Sequence, residues 1–186
     1  MDDFSDHLIC RHTFEMQDLM ELYPPDVYDT NKKIVHSIAC PPGCTYHGHL
    51  VFSRWGAMPL PQTFSYLEHQ TEIDEREGYF GYEPSQDNTQ LEWYLNFAHY
   101  DLFCAYGGPL FAQDEMQVAE HPALGSLREA LLNQNIKPLT VEQGKPTPIL
   151  IRGAERRCSI ATDRNPNQGR PHGLYGNNFA RATPEA

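Results

Sequence analysis

The chain has 186 residues, 40% of them hydrophobic, and a formal net charge of −11. That length and apolar content fit one globular domain that buries a core without staples. The acidic balance excludes a broad nucleic-acid-binding face and an electrostatic membrane anchor, because no basic stripe exists to displace counterions or meet anionic lipid. No apolar run approaches the ~20 residues of a membrane span, and the leading MDDFSDHL is acidic where a signal peptide is basic. Five cysteines, an odd number at irregular spacing, read as free thiols in a reducing compartment. The expectation is a cytoplasmic protein, or one delivered into a host cytoplasm.

Residues 12–22 carry Phe14, Leu19, Met20 and Leu22 on a weak helical face that Pro24–Pro25 stops. Residues 34–39 (IVHSIA) and 49–53 (HLVFS) are β-rich runs on either side of a Pro/Gly turn. That turn, CPPGCTYHGH, gathers Cys40, Cys44, His47 and His49. They are chemically a Zn²⁺ set, but the gap between the Cys and His pairs is far shorter than in a zinc finger. A turn with incidental thiols and imidazoles is the stronger reading, and neither a metal nor a cofactor is expected. Residues 62–77 read as a helix ending at Gly78, and the acidic stretch 72–84 as its solvated end. Tyr79, Phe80 and Tyr82 in that stretch offer a wall for adenine.

Residues 90–98 (QLEWYLNFA) alternate most cleanly, with Leu91, Trp93, Leu95 and Phe97 on one side and Glu92, Tyr94 and Asn96 on the other. This pattern predicts a strand with its apolar side inward. After a loop to about residue 112, Met116, Ala119, Leu124, Leu127 and Leu131 recur at helical spacing, interrupted by Pro122. Residues 148–153 (PILIRG) and 158–162 (CSIAT) read as two further strands, and 163–181 as loop. The closing ATPEA puts Thr183 at an N-cap and Pro184 at a first helical position. It opens a helix that is not continued, as in a fragment of a longer protein. Helices alternating with strands give an α/β class with the strand directions open.

The segment YGGPLFAQDEMQVAEHPAL (106–124) carries the chemistry. If it joins a strand to a helix, its loop lies where open α/β sheets bind ligands. Gly107 and Gly108 let backbone approach a sugar or phosphate, and the helix start presents unpaired N–H groups. Gln113, Asp114 and Glu115 then fall in the first turn. One acid accepts hydrogen bonds from sugar hydroxyls. Its neighbour, desolvated beside a like charge, has the raised pKa of an acid that later acts as base. That is equipment for cleaving a glycosidic bond. Taken alone, first-turn acids are more often helix caps, worth about 0.3–1 kcal/mol each against the macrodipole.

Three matches favour chemistry. LNFAH, then Gly107–Gly108, then Gln113-Asp114-Glu115-Met116 and Pro122-Ala123-Leu124 resemble the signature of the poly(ADP-ribose) glycohydrolase family. PILIRGAERRCSI (148–160) looks like that family's next strand, and GLYGNNFARATPEA (173–186) is similar to its aromatic, glycine-rich diphosphate loop. The resemblance covers roughly residues 90–186. It implies a macrodomain-like three-layer α/β/α fold with a mixed central sheet, one domain over 1–186, and ADP-ribose along the sheet crest. It implies Glu115 as general acid and base, and Asp114 as the acid that binds the distal ribose. Gly107 and Gly108 would line that ribose, Gly173, Tyr175, Gly176, Asn177 and Phe179 would cradle the diphosphate, and Gln113, Phe111 and His99 would also bind substrate. Asp114 stands where the family has glutamate, and His99 where it has asparagine. The implied activity is an ADP-ribosyl glycohydrolase that removes ADP-ribose from a modified macromolecule. The alternative is a non-catalytic ADP-ribose-binding module. The charge of −11 favours mono-ADP-ribosyl groups or chain ends over a long polyanion.

Two features remain. Cys104 reads as a small buried filler, with His99 and His121 as the nearby bases a nucleophile would need. Arg152, Arg156 and Arg157 form the densest positive cluster, either a phosphate contact or an offset to surrounding acids.

Overall fold

The computed structural model describes residues 5–59, 75, 89 and 92–181. It is mixed α/β, with four α-helices and small antiparallel sheets among the described residues. The helix expected over 62–77, the aromatics at 79–82 and the closing Thr183–Pro184 signal lie outside the described residues, Glu75 excepted. No helix among the described residues is long and apolar enough to cross a membrane.

β1 (Leu8–Glu15), β2 (His49–Trp55) and β5 (Ile149–Arg152) form one sheet in the order β1-β2-β5, every ladder antiparallel. β3 (Val141–Glu142) and β4 (Lys145–Pro146) make a separate two-residue hairpin. β1 occupies ground expected to begin a helix at residue 12. Leu8, Cys10, His12 and Phe14 alternate inward in phase with the pleat, and the helix starts only after Glu15. There the Glu15 carboxylate accepts the Asp18 N–H at 2.9 Å and caps α1 (Met16–Leu22).

α2 (Thr30–Ala39) replaces the strand expected over 34–39. Ile34 and Val35 favour strands locally, but Asp29 caps the segment by accepting the Lys32 N–H at 3.0 Å, and burial of Lys32 and Ala39 fixes the helical face. α3 (Gln113–Glu120) and α4 (Ala123–Asn133) flank the break expected at Pro122. The stretch 158–162 forms no ladder. Its Ile160 N–H instead donates to the buried Glu120 carboxylate at 2.7 Å.

The main core lies between the sheet and the α1–α4 pair, where Leu19, Leu50, Phe52, Leu127 and Leu131 are almost wholly buried. Each such side chain contributes about 1.5–3 kcal/mol. A second cluster, Leu102, Phe103, Tyr106, Val118 and Leu124, seats the 101–108 loop against α3 and α4. Arg128 on α4 ties that loop down, with Nη1 and Nη2 on the two Asp101 oxygens at 2.7 and 3.1 Å and Nη1 on the Leu102 carbonyl. Its fork holds the Asp101 carboxyl below the usual range. Arg128→Lys keeps the charge but loses the two-pronged geometry. It is expected to cost about 1–2 kcal/mol in urea unfolding, and an unchanged midpoint would show that the fork holds nothing.

Candidate functional site

Ala112, the N-cap of α3, has no side-chain acceptor, so the start of the helix is satisfied from within. Glu115, three residues on, turns back and accepts the Ala112 N–H at 3.0 Å through Oε2. This is one half of a capping box. The helix-cap reading of Glu115 is therefore realised, and it orients the carboxylate at the helix mouth. Asp114 accepts Asn96 Nδ2 at 3.1 Å and the His99 backbone N–H. Asp114 and Glu115 are 7% and 4% exposed, which puts both acids under the surface rather than on a solvated face. Burial is the main force raising the Asp114 pKa, and the Glu115 charge adds to it. The Asn96 and His99 hydrogen bonds pull the other way without cancelling the rise.

Gln113 does structural work. Its Oε1 accepts the Phe97 N–H at 2.8 Å and its Nε2 donates to the Leu95 carbonyl at 2.9 Å. One side-chain amide thus stands in for a neighbouring strand. The segment 92–98 is extended but joins no sheet ladder. Its alternation is present with the opposite sense to that expected. Trp93, Leu95 and Phe97 are exposed, while Asn96 turns in to Asp114 and, at 2.7 Å, to Gln117 Oε1.

Gly107 and Gly108 are required by the protein itself. A Cβ on Gly107 would strike the Asp26 carbonyl oxygen, and one on Gly108 would meet the Tyr28 hydroxyl at 2.6 Å. The Gly107 carbonyl accepts the N–H groups of Tyr28 and Asp29, both at 3.0 Å. The glycines therefore let the 26–29 segment press against the loop. Gly107→Ala is expected to lower stability by about 2 kcal/mol, because the obstruction is backbone and cannot swing away. A wild-type melting temperature would contradict that packing.

The other expected ligand-binding segment meets the first. Gly176 N–H donates to the Phe111 carbonyl at 2.7 Å, and the Phe111 and Phe179 rings stack at 3.8 Å and 12°. Asn31 on α2 reaches the Phe179 carbonyl at 2.6 Å. Gly173 is buried at φ +73°, where a Cβ would strike the Thr162 carbonyl oxygen. Tyr175 and Gly176 are half-buried and Asn177 is exposed. Phe111, Gln113, Asp114, Glu115 and the 173–179 loop are thus brought together around the start of α3.

His99 is exposed. Its Nδ1 accepts the Asp101 N–H at 3.2 Å and lies 3.2 Å from Cys104 Sγ. Cys104 is exposed, not buried as expected, because its loop turns the sulfur outward over His99. Burial and the Asp101 charge push the Cys104 thiol up. Arg156 and Arg157 pair with Glu120 at 2.9 Å and Glu155 at 3.0 Å, so they offset acids. The segment Cys40–His49 gathers no metal set, and none of three or more ligating side chains occurs among the described residues.

One functional candidate escaped the sequence reading. Lys32 is 2% exposed, with Nζ 2.7 Å from the Tyr106 carbonyl and 5.8 Å from the Phe111 ring centre. Burial pulls its pKa down to about 8, while the charges of Glu115, Asp29 and Asp114 oppose the fall. It is a cation whose charge is coupled to both acids. The signal was present in the sequence: a lysine in a first helical turn opposes the macrodipole, and needs another reason to be there.

A cavity of about 680 Å³ lies between the 92–98 segment and β5, bordered by Asn96, Gln117, His121 and Ile151. Its size suits a nucleotide-sized ligand. Asn96 links this cavity to Asp114, since it borders the one and its amide donates to the other. Comparison with protein-family models, with curated proteins and with solved structures returns no match for this chain.

Proposed function

We propose that the chain is an ADP-ribosyl glycohydrolase of macrodomain-like architecture, acting on mono- or chain-terminal ADP-ribose carried by a macromolecule. The observation that carries this reading is the junction of Phe111 with Gly176 and Phe179. Two segments that the sequence resemblance gives to one ligand, far apart in the chain, share a hydrogen bond and a ring stack beside Asp114 and Glu115. Glu115 would protonate the leaving oxygen and then take a proton from the attacking water. Its cap bond to Ala112 fixes the carboxylate for that exchange, and Lys32 supplies a balancing charge beneath. Asp114 would accept hydrogen bonds from the distal ribose.

A second reading, an ADP-ribose-binding module without turnover, is favoured by the burial of both acids and their use in protein hydrogen bonds. The two separate in a release assay on a mono-ADP-ribosylated protein, followed by mass spectrometry. Loss of the ADP-ribosyl mass supports the enzyme. Retention of the mass alongside ADP-ribose binding supports the module.

A further inference from the structure

The CPPGC turn at the end of α2 is built for another purpose. Cys40 follows the helix and donates its N–H to the His36 carbonyl at 2.8 Å. Pro41 and Pro42 fix φ, Gly43 adopts φ +80°, and the Cys44 N–H returns to the Pro41 carbonyl at 3.0 Å. Proline followed by a positive-φ glycine is the type II turn pattern, and it folds Cys44 back toward Cys40. Both thiols then address one oxygen. Cys44 Sγ donates to the Tyr46 hydroxyl at 3.1 Å, and Cys40 hydrogen-bonds the same group.

Tyr46 is held in place for this. Its N–H donates to Gln17 Oε1 at 2.9 Å, and the Arg157 guanidinium lies 5.2 Å over its ring while Arg157 Nε reaches the Ala39 carbonyl. The two sulfurs are half-buried, free and neighbours on a fixed hydroxyl. Among the described residues no third ligating side chain is grouped with them, so they fall short of the four ligands zinc takes. Cys104 and Cys158 are placed differently, Cys104 over His99 and Cys158 against the Ala119 carbonyl with its thiol pushed up to about 11 by burial.

We propose that Cys40 and Cys44 are a dithiol modification site that reacts with a low-molecular-weight disulfide and closes to an intrachain disulfide. The first thiol loses its proton to solvent, and its thiolate attacks one sulfur of the oxidant. The oxidant's S–S bond breaks and one small thiolate leaves, taking up a proton. The second protein thiolate attacks the protein-side sulfur of the mixed disulfide and expels the other small thiolate. The protein loses two hydrogens and the oxidant is reduced to two thiols.

The test uses oxidised glutathione on the whole chain at mildly alkaline pH, then alkylation, tryptic digestion and mass spectrometry. Cys40 and Cys44 lie between Lys33 and Arg54, in the single tryptic peptide 34–54. The expected product is that peptide two hydrogens lighter and unalkylated. In Cys44→Ser, circular dichroism having shown the fold intact, the same peptide is expected to hold one glutathione on Cys40. A wild-type peptide with two alkyl groups, a wild-type peptide with two glutathiones, or a Cys40 cross-link to Cys158 would each overturn the proposal.

Discussion

Glu115→Gln is expected to slow release of ADP-ribose from a mono-ADP-ribosylated protein by about 100- to 10,000-fold, the range for losing a positioned proton donor. Affinity for ADP-ribose and stability should stay near wild type. The reason is local. Glutamine keeps the side-chain oxygen that accepts the Ala112 N–H, so the start of α3 stays capped. It has no proton to deliver to a leaving group, and that proton is needed only in the transition state. Glu115→Ala should combine the same loss of rate with a further stability loss of about 1 kcal/mol, because it removes the cap as well. Comparing the two variants separates the carboxylate's work as a cap from its work as an acid. Wild-type release by Glu115→Gln would leave it as a cap alone.

Lys32 gives the second large effect, read in alkali. Its pKa is about 8 in the folded protein against 10.5 when exposed, chiefly from burial. Between those values the unfolded chain binds more protons than the folded one, so stability rises with pH. The cost of burying the ammonium is fully present below pH 8 and is relieved toward pH 10.5. After allowance for screening it is worth roughly 2–3 kcal/mol. Thiols and phenols with raised folded pKa values, among them Cys40, Cys158 and Tyr106, act in the opposite sense over an overlapping range. The measurement is therefore a difference. Urea unfolding of wild type minus Lys32→Met should climb across that window, whereas a flat difference would place Lys32 outside the buried charge cluster.

What the sequence made legible was local. The helical period from Met116 onward, the break at Pro122 and the β-rich runs in β2 and β5 all depend on neighbours within a few residues. They appear where expected, at Gln113–Glu120, Ala123–Asn133, His49–Trp55 and Ile149–Arg152. Ile34 and Val35 misled because the deciding interactions, the Asp29 cap and the burial of Lys32 under Tyr106, are partly tertiary. The 92–98 alternation was visible, but not its sense. An asparagine faces inward there because Asp114 and Gln117 receive its amide, and no rule of hydrophobic patterning anticipates that. Gly107 and Gly108 were recognisable as glycines of close approach. The approaching body, the 26–29 segment, lies about eighty residues earlier and leaves no trace beside them. At the candidate site, the acids and the 173–179 loop could be named from motif order. Their meeting through Phe111 needed the fold.

Calorimetric titration of ADP-ribose into wild type and Glu115→Gln tests the central claim most directly. The site at the start of α3 predicts saturable, single-site binding in the micromolar range by both proteins. Absence of binding heat from both, over several temperatures, would contradict an ADP-ribose site there and leave Asp114 and Glu115 as buried structural acids.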